Sequence, residues 1–207
     1  MRSLFSAVCA FAFFFYLSAP LSAVEAQNPL LEGVMTAIDG LPSSGTQITA
    51  WDGRTRYTTA TDKDGRFTIE GISPGKIFAL RLSPKNSPSA RFDGFRFPEQ
   101  GNLFISAEHG TMSKGKKYTS KIPSNPTTGY SWSILDPGNQ AVMIFCENSM
   151  EQPKENQERG VVGKGGRELW TFEAVDRGIS TVVLGYRRSW ETGVSPRRYH
   201  ILILNVR

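Results

Sequence analysis

Few residues in this chain could do covalent or metal chemistry. It has 207 residues with 2 Cys and 2 His. Cys9 lies in the N-terminal apolar run, which leaves Cys146 in the stretch Ala141–Cys146. A thiolate nucleophile would need a base, and His109 and His200 are the two candidates. No nucleophile elbow or paired carboxylates surround any of the three, so Cys146 reads as a small buried hydrophobe in a strand. His200 reads as a packed or rim residue. So few Cys and His are too little for a zinc site. Asp62 and Asp64 resemble the start of a calcium loop. Such a loop needs Gly at its sixth position and Glu at its twelfth, where this chain has Phe67 and Ser73, so a plain turn is expected. The segment Gly160–Gly165 lacks phosphate-loop spacing and has no Ser or Thr after Lys164. No cofactor and no enzymatic activity are expected.

The chemistry that remains is recognition, carried by three segments. The first is Asn125-Pro126-Thr127-Thr128-Gly129-Tyr130. Proline fixes φ and glycine admits unusual backbone angles, so this loop is stiff and presents its threonines and main-chain groups outward. The second is Gly163-Lys164-Gly165-Gly166, three of whose four residues have no side chain, so its backbone can lie close to another protein. The third is Arg188-Ser189-Trp190, which offers a guanidinium and an indole, two side chains common at binding hot spots. Each segment alone could be an ordinary turn, and Trp190 alone could be a core residue.

The elements that must hold these loops are strands. Gly 20 and Pro 12 are scattered along the chain, charged residues are 21% and hydrophobic residues 39%, which suits short strands joined by turns around a packed core. Leu103, Ile105 and Ala107 alternate with Phe104, Ser106 and Glu108, and Trp170, Phe172 and Ala174 share one face. Residues 181–186 and 199–206 are apolar on both faces and read as central strands. Further upstream, Gly45–Trp51, Tyr57–Thr61, Arg66–Ile69 and Ile77–Leu82 read as strands, with a hairpin expected at Asp64-Gly65. Residues 83–98 have linker composition, although Phe92, Phe95 and Phe97 also fit an edge strand. An all-β chain of two β-sandwich domains is therefore expected, with the boundary near Pro98.

Arg2, the apolar run Leu4–Leu17 and the small residues Ala23 and Ala26 make residues 1–26 a secretory signal peptide in this reading. The run is shorter than the roughly 20 residues that span a bilayer. No membrane span is expected after cleavage, and the protein is expected in the secretory pathway, secreted or in vesicles or lysosome-like compartments. The net charge of +5 is spread evenly, which argues against a nucleic-acid partner.

Two family resemblances rest on these residues. Residues 30–82, through Thr61-Asp62-Lys63-Asp64-Gly65-Arg66-Phe67, resemble the carboxypeptidase-regulatory-like, transthyretin-related sandwich, so residues 27–97 would form an accessory domain and not a peptidase. Within an expected domain at 98–207, residues 101–207 resemble the chagasin family of cysteine-peptidase inhibitors, whose loops read N-P-T-T-G-[YF], G-x-G-G and R-P-[WF]. The first two motifs match in full, and the third matches except for Ser189 in place of proline. This resemblance implies an immunoglobulin-like sandwich whose three loops block a papain-like (cathepsin-like) peptidase reversibly and competitively, as a monomer and without a cofactor. Thr127 and Thr128 would cover the catalytic cysteine. The glycine loop would line the non-primed side, and Trp190 with Arg188 would reach the primed side. The alternative is a non-inhibitory adhesion or carbohydrate-binding sandwich, which exposed aromatics on a flat face would favour. On the inhibitor reading, a fragment starting near Glu99 carries the whole inhibitory surface.

Overall fold

The computed structural model describes residues 29–152 and 165–207; residues 1–26, expected from the sequence to be a signal peptide, lie outside them. The described residues form thirteen strands and one short 3-10 turn. Strands β1 (Leu31–Ala37), β2 (Gln47–Trp51), β3 (Arg56–Ala60), β4 (Arg66–Ile69), β5 (Ile77–Ser83) and β6 (Ala90–Arg96) precede Pro98. Strands β7 (Leu103–Met112), β8 (Lys117–Ser124), β9 (Ser131–Asp136), β10 (Met143–Glu151), β11 (Gly166–Ala174), β12 (Gly178–Arg187) and β13 (Arg198–Val206) follow it. No helix among the described residues is long and apolar enough to cross a membrane.

Three sheets stack as layers. The middle one has the order β4-β1-β7-β13-β12-β9, and it is flanked by β3-β2-β5-β6 on one face and β10-β11-β8 on the other. Alternation along β13 shows why. Tyr199, Ile201 and Ile203 enter one core with Leu80, Phe92 and Phe95, whereas Leu202, Leu204 and Val206 enter the other with Trp170 and Phe172. A strand buried on both faces is apolar almost throughout, which is the pattern of Ile201–Leu204 at its centre. The seven strands after Pro98 form an immunoglobulin-like sandwich, β7-β13-β12-β9 over β10-β11-β8, with the buried Trp132 on the third strand of the seven.

The strands before Pro98 add to this sandwich without a gap. β1 runs parallel to β7 in continuous register from Leu31 against Leu103 to Ala37 against His109. Both segments therefore contribute to one middle sheet and one shared core.

Three local expectations need correcting. Asp64-Gly65 is not a hairpin, because β3 pairs with β2 while β4 pairs with β1 in the other sheet. The turn carries the chain between layers. Asp62 Oδ1 accepts the Asp64 and Arg66 N–H groups (2.9 and 2.8 Å), and Gly65 at φ +74° lies so close to Met35 that a Cβ there would overlap the Met35 carbonyl. Residues 83–98 are not simply a linker. They contain the edge strand β6, in which Phe92 and Phe95 both face the core because the register slips beside Gly94, at φ +85°. Cys146 is not a buried core residue. It sits where the β10–β11 register slips between Phe145 and Glu147, partly exposed, on an edge strand whose Ile144 and Phe145 are also exposed.

Candidate functional site

The end of β8, the start of β9, the start of β11 and the end of β12 meet at one tip of the immunoglobulin-like sandwich. Antiparallel pairing sets this up: Gly166 faces Ser124 across β11 and β8, and Arg187 faces Ser131 across β12 and β9. The described residues of the three motifs, far apart in sequence, are therefore neighbours in space.

The first loop is a self-contained wedge. Pro126–Thr128 form one 3-10 turn, closed by Gly129 in the left-handed region at φ 77°, whose N–H donates to the Pro126 carbonyl at 2.9 Å. Asn125 organises the turn. Its carbonyl accepts from the Thr128 hydroxyl (2.6 Å) and its Oδ1 from the Thr127 hydroxyl (2.6 Å). Pro126, Thr127 and Thr128 are all exposed. The base of the wedge is fixed by Tyr186 on β12, whose hydroxyl oxygen accepts the Asn125 N–H (2.9 Å). Tyr130 in turn stacks on the Tyr186 ring at 5.4 Å.

The third loop leans on the first. The Arg188 guanidinium lies 4.7 Å over the Tyr130 ring, its Nε donates to the Thr128 carbonyl (3.3 Å), and its Nη1 pairs with Glu191 (3.0 Å). Trp190 is 65% exposed, so it is not a core residue, and its indole lies against Gly129. Ser189, in the place of the family's proline, is exposed between them. Of the second loop, Gly163 and Lys164 lie outside the described residues. Gly165 lies beside Ser124 and Asn125, and Gly166 begins β11. A shallow groove between the first and second loops is lined by Asn125, Thr128, Tyr130, Gly165, Gly166 and Tyr186.

Glu168 carries no loop motif, yet it joins two of the loops from below. It is 5% exposed. One carboxylate oxygen accepts from the Ser124 hydroxyl (2.7 Å) and the other from Trp170 Nε1 (3.2 Å). A buried carboxylate is costly unless it is hydrogen-bonded, and these bonds tie the end of β8 to the start of β11. The alternation of Trp170, Phe172 and Ala174 puts Glu168 on the same inward face, and an inward-facing acid two residues past a glycine loop is the signal that marks it.

Among the described residues, no cluster of His, Cys, Asp and Glu could hold a metal ion. The buried His200 does meet two serines, Ser106 at Nδ1 (2.8 Å) and Ser120 at Nε2 (3.0 Å), with Glu108 3.7 Å away. Ser120 is fully buried and His200 is 3% exposed, so no substrate can reach them, and the cluster serves packing. Burial alone would raise the Glu108 carboxyl, but the His200, Ser120 and Tyr118 hydrogen bonds hold it below the usual carboxylate range.

Exposed polar turns, an exposed indole and glycine main chain thus lie together at one end of an immunoglobulin-like sandwich, a place where loops commonly carry binding. Residues 111–203 match the model of the chagasin family of peptidase inhibitors I42. Amoebiasin-1 of Entamoeba histolytica is 29% identical over 96 residues, which cover 45% of this chain and 85% of that protein. Amoebiasin-2 of the same organism is 31% identical over 78 residues, 38% of this chain and 60% of that one. The crystal structure of the cysteine protease inhibitor EhICP2 from Entamoeba histolytica aligns with a TM-score of 0.42 at 23% identity, covering 51% of this chain and 96% of that chain.

Proposed function

We propose that this chain is a reversible, competitive inhibitor of papain-like, cathepsin-like cysteine peptidases, and that it acts as a monomer from within the secretory pathway. The observation that carries this reading is the convergence of the Asn125–Tyr130 wedge, Gly165-Gly166 and Arg188–Trp190 at one end of a domain that matches the chagasin family. The wedge enters the active-site cleft with Thr127 and Thr128 foremost and covers the catalytic cysteine. Its 3-10 turn is already closed by Asn125 and Gly129, so little conformational entropy is lost on binding. The turn holds no peptide bond extended across the nucleophile, so it is occluded rather than cleaved.

Gly163–Gly166 line the non-primed side through main-chain contacts. On the primed side Trp190 is the desolvated anchor, Ser189 takes the place of the family's proline, and Arg188 holds the loop to Thr128 and Tyr130. No cofactor takes part. The test is a titration of papain with the chain after removal of residues 1–26. Stoichiometric loss of activity that returns on dilution supports the reading, and undiminished activity at micromolar inhibitor contradicts it.

A further inference from the structure

The layer before Pro98 turns one face to the core and the other to solvent, and the solvent face has an unusual composition. Across β2, β5 and β6 the register aligns Thr49 with Arg81 and Arg81 with Arg91. Like charges directly opposite on a sheet are unfavourable. Arg81 nevertheless makes no ion pair with any described residue, and Arg91 is only partly offset by Asp93 at 2.9 Å, an exposed pair. Arg56 stands opposite Trp51 on the other flank. Trp51 is 41% exposed although it lies within the sheet, and the Arg91 guanidinium sits 5.7 Å from its ring. Beside Trp51 on β5 is Ala79, and this small side chain opens a hollow of ≈ 390 Å³.

We infer that this hollow is a binding site for an anionic polysaccharide, one whose pyranose rings carry sulfate or carboxylate groups. Three guanidiniums around one exposed indole supply fork-shaped donors for such groups and a flat apolar surface for the ring. The other polar residues of the lining, Gln47, Thr49, Thr58 and Ser83, offer hydroxyl and amide groups, which match ring hydroxyls. An acidic peptide added as a strand is a poorer fit, because β2 and β5 are inner strands whose main-chain groups are already paired. Single-stranded nucleic acid is poorer still, because successive bases would need more than one stacking ring. The site lies on the outer layer, across the middle sheet from β10-β11-β8. It gives the segment before Pro98 a role of its own, holding an inhibitor on a charged glycan surface.

The test uses the full chain after removal of residues 1–26, with calorimetric titration of heparin (sulfate and carboxylate), polygalacturonate (carboxylate alone), dextran (uncharged) and polyglutamate (charged, not a sugar). Heparin is expected to bind and dextran not to. Trp51→Ala and the double variant Arg81→Gln/Arg91→Gln should each weaken heparin binding by about tenfold or more with unchanged thermal melts. Polygalacturonate binding as tightly as heparin assigns carboxylate as sufficient, and heparin binding alone assigns sulfate; either outcome supports the site. Failure of both acidic polysaccharides to bind overturns it. So does binding that survives both variants, or polyglutamate that binds as tightly as heparin.

Discussion

Gly129 and Trp190 touch across the first and third loops: a Cβ on Gly129 would overlap Trp190 Cη2. Gly129 also sits at φ 77°, where other residues are strained. One glycine thus closes the 3-10 turn and seats the indole. Gly129→Ala should raise the inhibition constant for papain by about tenfold or more and lower the melting temperature by roughly 2–12 °C, because strain at such a position is of order 1–3 kcal/mol. Inhibition constants and thermal melts for the two proteins check this.

Trp190→Ala should leave the melting temperature nearly unchanged, since a side chain 65% exposed buries little. It should weaken inhibition by roughly 2–4 kcal/mol if the indole is a desolvated anchor. The Ser189 N–H makes no backbone hydrogen bond to a described residue. Ser189→Pro should therefore keep or tighten inhibition, by about 0.4–1 kcal/mol from the restricted free loop. A Trp190→Ala protein that inhibits at full strength removes this loop from the contact.

Glu168→Ala should lower both stability and inhibition. It strands the Ser124 hydroxyl and the Trp170 indole N–H inside the protein, each at a cost of about 1–3 kcal/mol. Paired melts and inhibition constants read this out. A variant with wild-type values in both would show that the buried carboxylate does not hold the loops.

A fragment starting at Glu99 removes β1–β6 and uncovers Leu103, Ile105, Val183, Tyr199, Ile201 and Ile203 on the middle sheet. It also leaves β7 as an exposed edge. All three loops remain, yet the fragment should be far less stable and prone to associate. Light scattering and thermal melts against the full chain test this. A monomeric fragment that melts like the full chain would mean that β1–β6 contribute little to stability.

Two buried groups predict acid sensitivity. Burial lowers the affinity of His109 for a proton, with Asp39 opposing weakly. The unfolded chain therefore takes up that proton first, and stability falls as pH drops through the ordinary His range. Glu108, held below the usual carboxylate range, contributes stability above that range and loses it as pH falls further. His109→Gln, which can keep a bond to Ser43 in place of the 2.7 Å contact, should flatten the decline in melting temperature between about pH 7 and 5. An unchanged slope would show that His109 does not drive it.

The loops were legible in the sequence because each motif is local, and Pro126, Gly129 and the glycine run dictate their own backbone. The central strands were legible because burial on both faces leaves no polar alternation in residues 199–206. The layer crossing at Asp62–Gly65 was not legible, since a turn looks the same whether its strands pair together or separate into two sheets. The partial exposure of Cys146 was hidden for a similar reason, because an apolar run does not say that it lies on an edge with a slipped register. Glu168 was missed because its role depends on Ser124, which only the β8–β11 pairing brings within hydrogen-bond reach.

The most direct test of cleft blockade is the apparent inhibition constant against papain measured over a range of substrate concentrations. If the three loops occupy the active-site cleft, the constant rises linearly with substrate, and Trp190→Ala raises the whole line. A constant that does not change with substrate, or activity that persists at saturating inhibitor, would contradict it.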